Sequence, residues 1–365
     1  MKLGILGAGQ LGRMLALAGY PLGLDFVFLD PKAGAPAGLI AKQIVAPWDD
    51  PEALDAMAHV DVVSYEFESV PDVAARTLAE HVPVWPPPAA LYVAQDRLRE
   101  KETFRELGTD TAPFAAVESE AELRQAIKGI GVPAVLKTRR FGYDGKGQFV
   151  LRSTEDVPKA WSAIGGVPLL LEGFVEFSRE LSILGVRGQR GETAFYPLVE
   201  NEHERGILRT SRAPAPNVPV ELQQRAEAIS GRLLEHLGYV GVLALELFDV
   251  GGRLFANEIA PRVHNSGHWT IEGARTSQFE NHLRAVVGLP LGDPGALGPA
   301  AMVNLLGRIP EPAALLAVED LHLHDYRKAP RPDRKVGHVT VRAPDFAELE
   351  RRVAQVNALL TDKTG

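Results

Sequence analysis

The chain has 365 residues, too many for one ordinary domain, and its 45% hydrophobic and 24% charged content predicts two to four globular domains. It has no cysteine, which excludes disulfides, thiolate metal sites and a cysteine nucleophile. Its net charge of -8 argues against nucleic acid as the main partner, though a local basic pocket could still take a phosphorylated small molecule. The opening MKLGILGAG is too broken by glycine for a signal peptide, and no long apolar run suggests a membrane span, so a cytoplasmic address is expected.

The first thirty residues read as a β-α-β unit. Leu3–Leu6 is an apolar strand, Gly7-Ala8-Gly9-Gln10-Leu11-Gly12 forms G-x-G-x-x-G, Arg13–Gly19 is helix-like, and Phe26–Asp30 is the next strand. This is the pattern of a dinucleotide site: glycines admit a phosphate, the helix N-terminus attracts it, and an acid such as Asp30 holds the ribose. The same glycines also serve where a strand turns sharply into a helix beside another ligand, or simply pack there. The alternation continues with a strand at 44–46, a helix at 51–58 and a strand at 60–65 that runs into Glu66-Phe67-Glu68-Ser69. Ligands of open parallel sheets bind at the carboxyl ends of strands, where this acidic segment falls. A helix at 73–80 and a strand at 83–85 precede Pro86-Pro87-Pro88, which marks a domain boundary.

Residues 96–107 read as a charged helix, and 132–137 as a strand ending in Lys137. Arg139, Arg140, Gly142, Gly145, Lys146 and Gly147 then make a flexible cationic segment. Glycine lets main-chain N–H groups wrap a polyphosphate while the cations offset its charge. No Walker sequence is present. A strand lysine leading into this segment favours phosphate binding over a plain hairpin with a basic tip. Strands follow at 167–172, 179–186 and 195–198, with Glu172-Gly173-Phe174-Val175 as a hinge and Glu200–Gly206 as a polar turn. A helix is expected at 220–237.

Two apolar runs, Val242–Phe248 and Leu254–Ile259, flank Gly251-Gly252 and predict a β-hairpin. Glu246 lies in the first and Asn257-Glu258 in the second. Carboxylates in apolar strands are costly unless a cation neutralises them. Magnesium suits, because it takes few protein carboxylates and completes its shell with phosphate oxygens and water. The geometry is conditional: a two-residue loop pairs Glu246 with Asn257, whereas an odd loop or a bulge at Gly252 pairs Glu246 with Glu258 on one face. We expect the odd loop; otherwise one glutamate sits at a solvated strand end. Arg262, His264, Asn265 and Ser266 follow at once, a group of anion-binding donors beside a metal site. His264 and His268 are separated by a turn-forming Asn-Ser-Gly, which does not suit zinc. The tail predicts strands at 301–306 and 338–342 and a closing helix at 346–360.

These segments together, GAGQLGRML, YEFESV, QDRLREK, VLKTRRFGYDGKGQ, EGFVEFSREL, NEHERGIL, NEIAPRVHNSGHWT and RKVGHVTV, span nearly the whole chain. In them the chain resembles the N5-carboxyaminoimidazole ribonucleotide synthetases of purine biosynthesis, a family of ATP-grasp enzymes. The resemblance implies an α/β chain, α+β in its C-terminal lobes. A Rossmann-like parallel-sheet domain (1–95) would precede a small ATP-grasp lobe with a glycine-rich lid (96–175), a large lobe with the metal and bicarbonate site (176–295) and a small β-rich C-terminal domain (296–365).

The implied roles are as follows. Arg97 and Lys137 contact the phosphates of ATP, and Gly142, Tyr143, Asp144, Gly145, Lys146, Gly147 and Gln148 fold over them. Glu172, Gly173, Phe174 and Val175 meet the adenine, Glu180 holds the ribose, and His203 lies near the nucleotide. Glu246 and Glu258 bind magnesium, with manganese as a substitute, and Asn257 sits between metal and phosphate. Arg262, His264, Asn265 and Ser266 hold bicarbonate and the aminoimidazole ring, which Tyr143 and Asp144 reach from the lid. Lys335 and Arg342 grip the ribose phosphate, with Gln10, Leu11 and Glu68 opposite. The implied reaction is ATP- and bicarbonate-dependent carboxylation of 5-aminoimidazole ribonucleotide through carboxyphosphate, in a homodimer whose product passes to a downstream mutase. On this reading the first glycine turn faces substrate rather than NAD, and Asp30 has no special role. A formate-dependent glycinamide ribonucleotide transformylase is the nearer rival, disfavoured by Asn265 where that cousin has an acid. An NAD-dependent oxidoreductase is more remote, since it leaves the glutamate pair and basic glycine segment without purpose.

Overall fold

The computed structural model describes residues 1–142 and 146–361. The expected lid residues Tyr143, Asp144 and Gly145 therefore lie outside the described residues. Four short strands, β1 (Lys2–Leu6), β2 (Asp25–Leu29), β3 (Lys42–Ile44) and β4 (Val62–Tyr65), form a parallel sheet in the order β3-β2-β1-β4. Leu3, Ile5 and Leu6 are fully buried, the two-sided burial that parallel strands show when helices cover both faces. The strand expected at 83–85 reduces to one parallel bridge between Val63 and Val84. Pro83 and Pro86 lack the N–H groups that would extend it.

The small lobe is an antiparallel sheet of β5 (Phe114–Val117), β6 (Ala134–Thr138), β7 (Gln148–Leu151) and β8 (Leu169–Gly173), in the order β5-β8-β6-β7. Leu123 and Ile127 from helix Glu120–Ile130, with Val157 and Ala160 from helix Val157–Ile164, pack on Leu136 and Leu171 of this sheet.

The remaining strands build a nine-stranded sheet: β9 (Arg179–Arg187), β10 (Thr193–Phe195), β11 (Val199–Glu204), β12 (Ile207–Ala213), β13 (Gly241–Val250), β14 (Arg253–Ala260), β15 (Ala300–Leu306), β16 (Leu321–Asp325) and β17 (Lys335–Arg342). Its order is β14-β13-β9-β11-β12-β15-β17-β16, with β10 added to β9. Because β12 pairs β15, the sheet runs unbroken from the large lobe into the C-terminal region. Leu222, Leu233 and Leu234 of helix Val220–His236 pack against Ile183 and Leu245.

The segment 200–206, read from sequence as a polar turn, is instead most of β11 plus a tight turn at Arg205-Gly206 into β12. Val199 and Asn201 face the interior while Glu200, Glu202 and Glu204 face outward. The outward carboxylates disguise a strand with one solvated face.

Candidate active site

The three sheets converge on one cleft of about 1170 Å³. Its floor is the β13–β14 hairpin. Gly251 and Gly252 form a two-residue turn with φ of 60° and 85°, the positive angles that a tight hairpin turn requires of both central residues. The expected odd loop is thus absent. The register shifts between Glu246 and Leu247, where Asn257 is the extra residue of a β-bulge. Leu247 pairs Ala256 and Glu246 pairs Glu258, so the two carboxylates share one face as expected, by a different route.

Burial, then the neighbouring Glu258, push the Glu246 carboxyl up to about 7. Enclosure also pushes Glu258 upward, but Arg97 outweighs it and holds Glu258 below the usual range. Arg97 Nη1 lies 2.9 Å from Glu258 Oε2. Among the described residues no group of three or more His, Cys, Asp or Glu side chains is arranged to hold a metal ion. Two adjacent carboxylates that resist joint ionisation still fit a cation that draws its other ligands from phosphate and water.

The small lobe supplies a cationic wall. Lys137 Nζ donates to Glu172 Oε2 at 3.0 Å. Burial would raise the Glu172 carboxyl, but Lys101 and Lys137 hold it at about 2. Glu172 is buried behind Lys137, outside the cleft lining, between β5 and β6. Arg139 grips Asp96 through two hydrogen bonds of 2.9 and 2.7 Å, and Asp96 also caps the helix that carries Arg97. Gly142, Lys146 and Gln148 line the opening, with Gly147 beside them in sequence and Val175 directly after Phe174. Phe174 lines the cleft, as do Phe177 and Phe248, whose rings stack 4.6 Å apart. Glu180 Oε2 lies 2.7 Å from His203 Nδ1. Burial lowers the His203 pKa, but Glu180 raises it overall.

Opposite stands the segment after β14. His264 Nδ1 accepts from the Ser266 N–H at 3.3 Å, and burial, then Arg262, hold its imidazole neutral with a pKa of about 3. A neutral ring with Nδ1 accepting carries its hydrogen on Nε2, which lies 3.4 Å from Glu246 Oε1. Ser266 is fully buried and faces away from the cleft: it receives Ser182 Oγ, which receives Asn201 Nδ2. Ser266 therefore orients His264 from behind. Asn265 exchanges two amide hydrogen bonds with Asn304, and Arg262 pairs with Glu68.

The glycine turn at the end of β1 comes next. Gln10 and Leu11 line the cleft, but the anion position of the turn is filled from within. Glu66, buried, accepts from Gly9 N and from Gly12 N, the latter at 2.6 Å. A Cβ at Gly9 would meet Glu66 Oε1 at 2.6 Å, and Gly7 has φ of 100°. The glycines are thus needed for an internal carboxylate rather than a pyrophosphate. Asp30 also has a role the sequence did not suggest, accepting from Ala8 N at 2.9 Å to brace the same turn.

Lys335 lines the cleft at the start of β17, whereas Arg342 sits at the strand's other end, away from the cleft, with Nη2 3.1 Å from Asp320. They are the first and last of the 8 residues of this extended strand. Instead Lys328, Arg331 and Arg334 line the cleft beside Lys335. The sequence shows these cations in the loop before the strand, but nothing in their spacing marks which face the site. Burial pulls the Lys328 ammonium down to about 8. Trp269 is fully buried and packs edge-on to Tyr196.

Known proteins resemble this chain over nearly its whole length. Residues 102–279 match the ATP-grasp domain, residues 1–95 the ribonucleotide synthetase preATP-grasp domain, and residues 300–352 the phosphoribosylaminoimidazole carboxylase C-terminal domain. An N5-carboxyaminoimidazole ribonucleotide synthase of Pseudomonas aeruginosa is 54% identical, over 99% of each chain. The crystal structure of the Thermus thermophilus synthetase is similar with a TM-score of 0.95 and 55% identity, covering 100% of this chain and 99% of that one. The Aspergillus clavatus synthase, in complex with ADP and 5-aminoimidazole ribonucleotide, is similar with a TM-score of 0.92 and 32% identity over 98% of each chain. On this full-length similarity, and on a cleft that joins a carboxylate pair to a cationic wall, the chain belongs to the N5-carboxyaminoimidazole ribonucleotide synthase family of ATP-grasp ligases.

Proposed function

We propose that this chain carboxylates the exocyclic amine of 5-aminoimidazole ribonucleotide, consuming ATP and bicarbonate and giving ADP and phosphate. The observation that carries the reading is the cleft itself: Glu246 and Glu258 share one face, with Arg97 and Lys137 on one side and Arg262 and His264 on the other.

Bicarbonate is a poor electrophile. One of its oxygens attacks the γ-phosphorus of ATP, the bond to the β-γ bridging oxygen breaks, and ADP and carboxyphosphate result. The exocyclic amine then takes the carboxyl group, the carbon–oxygen bond to phosphate breaks, and the amine releases a proton. Phosphoryl transfer asks for alignment and charge neutralisation more than for a covalent partner. Arg97 and Lys137 offset charge on the phosphates. Glu246 and Glu258 would hold magnesium, with manganese as a substitute, which neutralises the triphosphate when bound. Arg262 and the His264 Nε2–H hold bicarbonate, and Asn265, fixed by Asn304, meets the imidazole. Lys335, with Lys328 and Arg334, takes the ribose phosphate opposite Gln10, Leu11 and Glu68. Carboxyphosphate hydrolyses in water, so exclusion of water from the occupied cleft is part of the proposal. We further propose a homodimer whose product is consumed by a mutase. No helix among the described residues is long and apolar enough to cross a membrane.

A coupled ADP-release assay tests this. ADP should form only when magnesium, bicarbonate and aminoimidazole ribonucleotide are all present. Equal release with formate and glycinamide ribonucleotide would overturn the substrate assignment.

A further inference from the structure

The Asn257 bulge is what brings Glu258 opposite Glu246, and it leaves backbone groups to satisfy. β14 is the edge strand of the nine-stranded sheet, so its outward peptide groups have no strand partner beyond a single bridge from Ala256 to Thr111, in which Ala256 N donates to Asp110 O at 2.7 Å. A bulge also turns two consecutive carbonyls to one side. Helix Arg97–Glu106 meets this edge with two adjacent buried side chains, Glu100 and Lys101, exposed by only 2% and 1%. Lys101 Nζ donates to Asn257 O at 2.8 Å and to Ala256 O at 3.3 Å. On the far side of the bulge, Ile259 N donates to Glu100 Oε1 at 2.6 Å. Thr111 Oγ1 gives Ala256 O a second donor at 2.8 Å.

The charges are equally constrained. Lys101 Nζ lies 3.4 Å from Glu172 Oε2, the oxygen that also receives Lys137. One carboxylate therefore links the phosphate-facing lysine to the lysine that holds the bulge. A fully buried ammonium is expensive, and a surface-facing helix position would have offered Lys101 water instead. Without the bulge, the register set by the two-residue turn would pair Glu246 with Asn257 and send Glu258 to the opposite face.

We propose that Glu100 and Lys101 are positioning residues that lock the Asn257 bulge and thereby set the two acidic side chains side by side. Lys101 lies outside the cleft and Glu100 at its border; both act through the backbone of β14. The proposal rests on reading Glu246 and Glu258 as the cation-holding pair.

The test uses the full-length chain in its ADP complex, titrated with Mn2+ and followed by the electron paramagnetic resonance of free Mn2+, alongside steady-state kinetics. Glu100→Leu and Lys101→Met should weaken Mn2+ binding about tenfold or more and lower kcat about 10²-fold. The KM for aminoimidazole ribonucleotide and the circular dichroism spectrum should stay near those of the native chain. Glu100→Gln keeps an acceptor in the same place and should restore both Mn2+ affinity and kcat to within about threefold. Folded Leu or Met variants with unchanged Mn2+ affinity overturn the proposal, as does a tenfold loss in Glu100→Gln. If Lys101→Met does not fold, the Leu and Gln variants at Glu100 decide. Failure of the underlying reading looks different: Glu246→Gln and Glu258→Gln would then leave Mn2+ affinity untouched.

Discussion

The glycine turn after β1 and the basic glycine segment of the small lobe have the same ingredients for a phosphate. Each follows the carboxyl end of a strand, each is rich in glycine, and each borders the same cleft. They differ in what meets their N–H groups. At the first, Glu66 reaches across from the end of β4 and occupies Gly9 N and Gly12 N. At the second, Lys137 and Lys146 add charge of the opposite sign, and Glu172 lies buried behind Lys137 rather than in the opening. A glycine turn therefore says that something negative comes close; the rest of the fold decides whether that is a ligand or the protein's own side chain.

Four experiments would break or sharpen this contrast. The largest effect should come from Glu258→Gln, which removes charge from the cationic side's metal pair. ADP release dependent on aminoimidazole ribonucleotide should fall about 10³-fold or more with an unchanged circular dichroism spectrum. Retained turnover would mean that the cation is held elsewhere.

Next is the rim of the cleft at Lys328. Burial lowers its pKa to about 8, so the charge it offers a phosphate is full below that pH and lost as pH rises through it. The kcat/KM for aminoimidazole ribonucleotide should therefore fall above about pH 8, since this parameter reports the free enzyme. Lys328→Arg should remove that break, because arginine stays charged. An unchanged profile in the variant would assign the break to another group.

Third, Glu66→Leu strips two backbone N–H groups of their acceptor, at a cost of about 2–4 kcal/mol, read as a lower denaturation midpoint in urea. NAD should not bind the emptied turn, because no other cation or acid of a dinucleotide site has been gained. Measurable NAD affinity in that variant would show that Glu66 alone separates the two uses of the turn. The smallest effect belongs to Arg342→Ala. It sits beside Asp320 at the far end of β17, and kinetic constants should change by less than about threefold.

Legibility in the sequence followed physical range. The β-α-β head, the carboxylate hairpin and helix Val220–His236 were readable because periodicity and turn residues act over a few neighbours. Segment 200–206 was not, since its outward acids match a turn as well as a strand. Lys335 and Arg342 both looked available to substrate, yet an extended strand carries its two ends far apart. Glu66 looked like a strand end, and only the packing of β4 beside β1 brings it to the glycine turn.

The sequence by itself determined the ATP-grasp family, the two glutamates proposed to hold a cation and the cationic character of the wall that faces them. The tertiary structure decided their register, which comes from a bulge at Asn257 that Lys101, 156 residues upstream, holds through the Asn257 main-chain carbonyl. It also decided that the first glycine turn is filled by the protein's own Glu66. Residue type and local spacing specify what a segment can bond to, but a carboxylate or ammonium arriving from a distant element settles what it does bond to, and no local pattern encodes that arrival.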